Sequence, residues 1–526
     1  MLAPFPLDLS SFGELRRQNY LYVDKTSYAH RLITGGRRFF LSRPRRFGKT
    51  LFLSTLQEIL LGQRELCNTL FINTTDYHWQ PYGVITLDLS ALGIDSPATL
   101  KSGLKQALCE TAEYYQLTID TKPAEPEIIL RNLVKALRKQ IGRVALLIDE
   151  YDSPILHSLK EPVTAQTIRN SLQRFFAAIK GLDTELDFVF ITGVTNFARA
   201  GIFSGLNNLR IISLDNRFGA ICGYTEAELQ QYFSAYLQAW AKQASLDYPQ
   251  LLDRIKVWYN GYRFGNDTLA VYNPFSLMHA IDQCSFENFW FQSGTPAFLV
   301  NELVKETRKA EYPLFGAETF KVSSDSLGVF DIGATPLAAL MFQTGYLTIT
   351  GYDAALEQCE MGYPNQEVKT TLQRYLLTNL AKLDFANADR LTTSLRVALE
   401  QQDLPAFIRV LKQLFNNLPY QIQVKKEQFY HAILHAICDA AGLSVQSEYS
   451  TSHGRIDLII SLPARYYVIE VKFNQPASRA LEQIIARNYH EHLTKHDKPI
   501  VLLGLAFQRT PKVFDITYAE QTIPAA

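Results

Sequence analysis

The stretch from Arg37 to Thr55, RRFFLSRPRRFGKTLFLST, decides the fold of the N-terminal half of this chain. An apolar run, Phe39 to Leu41, predicts a strand, and a basic loop follows it. The loop ends in Gly48-Lys49-Thr50, after which apolar residues recur at helical spacing. A strand, a loop ending in Gly-Lys-Thr and a helix together indicate a phosphate-binding P-loop.

Each residue type in this loop suits phosphate binding. Gly48 lets backbone N–H groups turn toward the phosphates, Lys49 can reach the β- and γ-phosphates, and the Thr50 hydroxyl can bind Mg²⁺. The pattern departs at one place, because Arg43 stands where the first glycine of G-x-x-x-x-G-K-[ST] is expected. The predicted nucleotide-binding residues of the loop are Arg45, Arg46, Phe47, Gly48, Lys49, Thr50 and Leu51.

A second motif, VALLIDEYD from Val144 to Asp152, predicts a buried parallel strand with acids at its carboxyl end. Asp149 is predicted to hold Mg²⁺, and Glu150 to polarise the water that attacks the γ-phosphate. An apolar strand ending in acids also occurs without function, but its position after a P-loop favours the functional interpretation. Asp152 fits either a supporting role behind these acids or a surface position.

A third strand is predicted from Phe188 to Val194, and Thr195 follows it. In additional-strand ATPases a polar residue here senses the γ-phosphate. The alternative, that Thr195 and Asn196 only cap the strand and begin a turn, stays equally open. Candidates for an arginine that reaches a phosphate, between which the sequence does not choose, are Arg199, Arg210 and Arg217.

Composition limits the classes of protein that fit. A chain of 526 residues predicts several domains, and a net charge of zero means that any nucleic-acid contact must come from local patches. Apolar runs are too short to span a bilayer, and the N-terminal residues do not resemble a secretory signal. The six cysteines are widely spaced, which predicts free thiols in a reducing compartment. We therefore expect a cytoplasmic protein without a membrane partner.

Residues 225–417 show mostly helical periodicity. Within them the stretch Trp258 to Phe264, WYNGYRF, is aromatic, and we favour a packing role over stacking on a nucleotide base. Arg263 in this stretch is a further candidate for a nucleotide contact. Alternating residues between Gln343 and Pro364 predict a hairpin.

A third chemical pattern lies in residues 427–507, whose order is predicted as helix, three strands, helix, strand. Glu470 and Lys472 are two apart on a strand and therefore face the same side, and Asp457 on the preceding strand can meet them across an antiparallel pair. Two carboxylates that hold Mg²⁺ beside a lysine suit metal-dependent phosphodiester hydrolysis. Acids and lysines also occur on ordinary surface strands, which is the competing interpretation.

These motifs together resemble known families. RPRRFGKT, LLIDEYD, ITGVTNF and WYNGYRF resemble the bacterial AAA-ATPase-like family, in which arginine also replaces the first P-loop glycine. The C-terminal pattern resembles the PD-(D/E)xK nuclease superfamily, with Ile456 in place of the proline. The resemblance implies ATP and Mg²⁺ as cofactors, a catalytic set of Asp457, Glu470 and Lys472, a helical glutamine at Gln483, and an additional acid at Glu427 or Glu448.

The sequence thus predicts an α/β protein in three parts. These are a RecA/AAA-like P-loop core in residues 1–224, a mostly helical lid or middle region in 225–420, and a restriction-endonuclease-like domain in 421–526. The expected function is an ATPase that gates a Mg²⁺-dependent nuclease acting on DNA, with RNA as the less favoured substrate. The alternatives are an ATP-driven switch whose C-terminal domain only binds nucleic acid, and a chaperone-like ATPase. A homo-oligomer is compatible with each of these.

Overall fold

The computed structural model describes most of the chain, in two compact units. The described residues are 2–92, 96–123, 125–159, 161–196, 201–203, 206, 208–290, 319–328, 336–381, 384–416, 427–451, 454–489, 491–493, 498–509 and 514–525. The first unit comprises Met1–Ser293 and Lys321–Asn365, and the second comprises Gly294–Phe320 and Gln366–Ala526.

A five-stranded parallel sheet forms the centre of the first unit. Its strands in chain order are β1 Arg38–Ser42, β2 Gly83–Asp88, β3 Val144–Asp149, β4 Phe188–Gly193 and β5 Arg210–Ile211. Their order across the sheet is β2-β3-β4-β1-β5. Strands β1, β3 and β4 are buried along their whole length, as expected for parallel strands whose two faces are both covered by helices. This order places the carboxyl ends of β1, β3 and β4 side by side.

Helices cover the sheet on both faces and continue beyond it. In the first unit they are α1 Phe12–Arg17, α2 Thr26–Gly35, α3 Lys49–Leu60, α4 Pro97–Tyr114, α5 Pro126–Ile141, α6 Ser153–His157, α7 Pro162–Lys180, α8 Glu226–Gln243, α9 Tyr248–Tyr259, α10 Pro274–Gln283, α11 Ser324–Leu327 and α12 Leu337–Thr344. Short 3₁₀ turns lie at Arg64–Cys67, Phe71–Thr74 and Asn216–Phe218. We call α8–α10 the lid helices, and their apolar sides form a core of their own.

A small antiparallel element completes the first unit. Strands β7 Thr348–Asp353 and β8 Gln358–Gly362 pair as the predicted hairpin, and β6 Thr319–Ser323 precedes them. The lid helices and this hairpin therefore belong to the same unit as the phosphate loop. The three-part division with boundaries after residues 224 and 420 stays a prediction.

The second unit contains a mixed five-stranded sheet. Its strands are β9 Ser444–Thr451, β10 Gly454–Ser461, β11 Tyr466–Phe473, β12 Ile500–Arg509 and β13 Phe514–Ile523. They lie in the order β13-β12-β11-β10-β9, and only β11 and β12 run parallel. The helices are α13 Gln366–Ala381, α14 Phe385–Gln401, α15 Leu404–Asn416, α16 Glu427–Ala440 and α17 Ala477–Ala486, with a 3₁₀ turn at Glu491–Leu493.

The predicted α/β class, with a parallel P-loop sheet and a C-terminal α/β domain, is confirmed. Strand β5 has two residues, Arg210–Ile211, and just after it the Ser213 hydroxyl accepts from the Ser42 hydroxyl. All six cysteines are free thiols, and four of them are buried. Among the described residues, every helix is too short or too polar to cross a membrane.

Candidate nucleotide and nuclease sites

A cavity of about 620 Å³ lies at the carboxyl edge of the parallel sheet. All seven residues predicted in the loop line it, from Arg45 to Leu51, together with Asp149 and Glu150. Further walls come from the N-terminal residues 6–10, 21–23 and 25 and from residues 221–224, 274, 275 and 278. The fold therefore brings the two predicted motifs to one cavity, and it supplies walls that the motifs did not indicate.

The phosphate loop has the backbone geometry of an anion site. Gly48 has a φ of +86° and immediately precedes α3, so its left-handed conformation turns the loop into the helix. The free N–H groups of the first helical turn face an anion favourably. The Lys49 ammonium donates to the Pro44 carbonyl at 3.2 Å and lies 3.5 Å from a Glu150 carboxylate oxygen. It is thus held at the cavity rim beside the acid that was predicted to polarise water.

Asp149 lies at the centre of a hydrogen-bond network. One carboxylate oxygen accepts from the Thr50 hydroxyl at 2.7 Å, and the other accepts from the Thr192 hydroxyl. Burial raises the pKa of Asp149, whereas the bonds from Thr192 and Thr50 lower it. A hydroxyl and a carboxylate in contact at a P-loop fit Mg²⁺, which favours hard oxygen ligands. Sequence reasoning missed Thr192, since nothing in ITGVTNF shows which threonine faces Asp149.

The structure places Thr195 away from this cavity. Its N–H donates to Asp152 at 2.6 Å, and its hydroxyl bonds to the same carboxylate. Asp152 is fully buried, and burial raises its pKa to about 6. Asp152 therefore has a supporting role, joining the end of β3 to the end of β4. The sensing role of Thr195 stays a prediction, and Thr192 makes the contact that Thr195 does not.

We expect a Thr192→Val variant to bind Mg²⁺–nucleotide about fivefold more weakly, since one buried hydrogen bond is worth about 1 kcal/mol. The side chains are similar in shape, so the core should keep its packing. Titration of a non-hydrolysable ATP analogue with Mg²⁺ and with EDTA measures the effect. A deficit of equal size in EDTA would show that Thr192 does not act through the metal ligand.

Arg43, which replaces the first P-loop glycine, is buried under the loop. Its guanidinium donates to the carbonyls of Ser42 at 2.9 Å, Ser213 at 2.7 Å and Phe218 at 2.9 Å. It also lies 4.1 Å from the ring centroid of Phe264. Burial lowers the pKa of Arg43 to about 10, so it remains charged at neutral pH. Arg43, which departs from the glycine pattern, thus links the phosphate loop to the chain that follows β5 through hydrogen bonds.

Of the other predicted arginines, the three that the structure describes do not line the cavity. Arg210 and Arg217 both pair with Asp215, at 3.2 Å and 2.6 Å. Arg199 lies outside the described residues. Arg263 is exposed and donates to the Thr350 carbonyl.

The aromatic stretch Trp258 to Phe264 has the packing role that we favoured. The rings of Tyr262 and Phe264 lie 4.7 Å and 5.3 Å from Phe47 of the loop, measured between centroids. This packing fixes the loop from the side of the lid helices.

In the second unit, two of the predicted nuclease residues, Glu470 and Lys472, lie on β11, and residues of two helices contact them. The Lys472 ammonium lies 2.9 Å from Glu470 and 3.0 Å from Glu427 at the start of α16. Gln483 on α17 donates to the same oxygen of Glu470 that Lys472 contacts. The predicted same-side placement of Glu470 and Lys472 is confirmed. Glu427, one of the two candidates for an additional acid, lies at this site, and the side chain of the other candidate, Glu448, is outside the described part of the structure.

Asp457 lies on β10, the antiparallel neighbour of β11. Its carboxylate accepts from the Val471 N–H at 2.8 Å, and its carbonyl contacts a ring nitrogen of His431 at 2.8 Å. Burial first, and the Asp457 carboxylate second, raise the pKa of Glu470 to about 7. Two carboxylates that oppose each other's ionisation mark a site where a cation would relieve the repulsion.

The residues at this site fit a divalent cation. The buried oxygen Oε2 of Glu470 has no hydrogen-bond partner among the described residues. In the described part of the chain, no group of three or more His, Cys, Asp or Glu side chains is arranged to hold a metal ion. Mg²⁺ typically uses only one or two carboxylates and keeps water on its remaining positions, so an open pair is adequate.

Comparisons with known proteins confirm both family resemblances. Residues 6–203 match the family described as Predicted AAA-ATPase, and residues 425–514 match the PD-(D/E)XK nuclease superfamily. A protein of Azotobacter chroococcum mcd 1, described as "Uncharacterized protein in vnfD 5'region", is 34% identical over 516 residues. That alignment covers 96% of each chain.

Likeness to solved structures is weaker. The Aeropyrum pernix ORC1 protein in complex with DNA is 12% identical, covering 66% of this chain and 91% of its own with a TM-score of 0.25. Cdc6p from Pyrobaculum aerophilum is 12% identical, covering 69% and 93% with a TM-score of 0.27. Likeness at this level carries no argument about what this chain binds.

Proposed function

Because this chain belongs to the Predicted AAA-ATPase family and ends in a domain of the PD-(D/E)XK nuclease superfamily, we propose that it hydrolyses ATP and cleaves DNA under the control of ATP. The observation that carries the nuclease half is Glu470, which pairs with Lys472 through one oxygen, keeps the other buried without a hydrogen-bond partner among the described residues, and has its pKa raised by the nearby Asp457 carboxylate. A domain that only binds nucleic acid has no need for this set.

At the phosphate loop, this chain's residues would bind and orient ATP. Backbone N–H groups at the start of α3 and the Lys49 ammonium would hold the phosphates, while Thr50 and Asp149 would hold Mg²⁺. Glu150, with a φ of +50°, is kept in a left-handed conformation that costs free energy. We assign Glu150 as the general base that orients the attacking water.

At the C-terminal site, Asp457 and Glu470 would hold Mg²⁺, which when bound supplies an activated water and neutralises charge on the phosphate. Lys472 would then donate to the phosphodiester oxygen as negative charge develops on it. Gln483 keeps Glu470 oriented through its amide. Glu427 holds the ammonium of Lys472 in place from α16.

The test incubates the purified protein with circular and linear DNA and Mg²⁺ or Mn²⁺, with and without ATP. We expect Lys49→Ala to lower ATP hydrolysis at least about 100-fold, and Lys472→Ala to lower DNA cleavage by a similar factor. Lys412→Ala is the matched control, because Lys412 forms a half-exposed ion pair with Asp515 in the same unit as Lys472.

Two results would overturn parts of this proposal. Cleavage that is equal with and without ATP in the wild type would remove the control by ATP. Absence of cleavage with ATP hydrolysis intact would favour the ATP-driven switch. An RNA substrate run in parallel shows whether the protein cleaves RNA instead of DNA.

A further inference from the structure

The chain segment between β5 and the lid helices forms one wall of the nucleotide cavity. Residues 221–224 line that cavity, and α8 begins directly after them. Thr225 caps α8 by accepting from the Glu228 N–H, while Glu228 in return accepts from the Thr225 N–H. This segment therefore connects the parallel sheet to the lid helices, and we call it the lid linker (residues 213–225).

Two buried cations donate hydrogen bonds to carbonyls of the lid linker. Arg43 of the phosphate loop donates to the Ser213 and Phe218 carbonyls. Lys25, from the N-terminal wall of the cavity, donates to the Ala220 carbonyl at 2.9 Å. The linker is thus fixed to the loop and to the N-terminal wall at three of its carbonyls.

Lys25 also forms an ion pair with the first turn of α8. Its ammonium lies 2.6 Å and 2.8 Å from the two carboxylate oxygens of Glu228, and the residue is only 7% exposed. Burying such a pair costs desolvation that the attraction often does not recover, so it is weak evidence of a stabilising role. A role in selecting one arrangement of two structural elements explains a buried charge pair better than a stabilising role does. Here the two elements are the N-terminal wall and the lid helices.

We propose that Lys25 and Glu228 are positioning residues that couple nucleotide binding to the lid helices. This inference rests on the proposed nucleotide-binding function. A nucleotide in the cavity touches the phosphate loop on one side and residues 221–224 on the other. Because the ion pair holds these walls in the binding arrangement beforehand, less ordering is needed on binding. By reciprocity, bound nucleotide strengthens the attachment of α8.

The test measures the affinity of a non-hydrolysable ATP analogue with Mg²⁺ for Lys25→Met, Glu228→Gln and the double variant. We expect each single variant to bind about tenfold more weakly and the double variant to be no weaker than either single one, since all three lack the same pair. Glu228→Gln retains an amide oxygen for the Thr225 N–H, so the helix cap survives. Lys321→Met is the control, because Lys321 pairs with Asp353 at an exposed site of the same unit.

Hydrogen exchange separates coupling from a loss of stability alone. In the wild type, the analogue should protect the amides of α8, and in Lys25→Met this protection should be lost while the protein remains folded. If the wild type fails to bind the analogue, the proposed ATPase function fails. The coupling is overturned, and the ATPase proposal stands, if the wild type binds the analogue and the single variants bind it equally well. The same holds if the affinity of the double variant falls by the product of the two single-variant factors.

Discussion

An Arg43→Gly variant, which restores the first glycine of the phosphate-loop pattern, is expected to lose about 4 kcal/mol of stability and to bind ATP more weakly. The substitution removes a guanidinium that donates to three backbone carbonyls. The buried Ser213 carbonyl would lose its donor, at about 1–3 kcal/mol, and the Phe218 carbonyl would keep only the bond from the Ile221 N–H. The lost side-chain volume adds a cavity beneath the loop.

All four tryptophans lie in the first unit, so intrinsic fluorescence during denaturant unfolding reports on this effect. Arg37→Gly is the matched control, because Arg37 is exposed just before β1 and the substitution is chemically the same. Arg43→Lys should recover only part of the loss, since an ammonium cannot reproduce the planar fork of the guanidinium. If Arg43 merely occupied the glycine position, Arg43→Gly would leave stability unchanged and improve nucleotide binding.

The fold could be predicted wherever the local pattern of apolar residues matches their burial in the tertiary structure. β3 is an unbroken apolar run that ends in two acids, and it forms a fully buried strand as expected. β13 was not predicted, because its residues, FDITYAEQTI, are half polar and it lies at an edge of the sheet. β13 forms because it pairs with β12, and the local sequence of β13 does not indicate this tertiary contact.

The candidate sites show the same limit. The motif residues were found because their chemistry is carried by short patterns, such as Gly-Lys-Thr and Glu-x-Lys. Two contacts outside these patterns were not found, because Thr192 contacts Asp149 across 43 positions of the chain and Lys25 contacts Glu228 across 203. The choice between Thr192 and Thr195 likewise depends on which way each hydroxyl leaves the end of β4. No pattern in one sequence reports that direction.

The stability of the metal-free second unit is expected to fall as the pH rises from about 4.5 to about 7, by at most about 3 kcal/mol. The cause is Glu470, whose pKa is raised to about 7 in the folded protein, first by burial and then by Asp457. A carboxyl with a raised pKa binds more protons folded than unfolded within this window, so raising the pH favours the unfolded state. Asp457, whose pKa is also raised by burial, acts with the same sign.

Hydrogen exchange of β11 amides in EDTA at pH 5 and pH 8 measures this dependence, since the tryptophans do not report on the second unit. Glu470→Gln should flatten the profile, because the amide does not titrate in this range. Mg²⁺ should stabilise β11 more at pH 8 than at pH 5, as a metal ligand must first lose its proton. A profile that is flat in the wild type, or that Mg²⁺ does not change, would mean that the buried carboxylates are not poised for a cation. The Asp457–Glu470 pair would then have to be explained as part of the core.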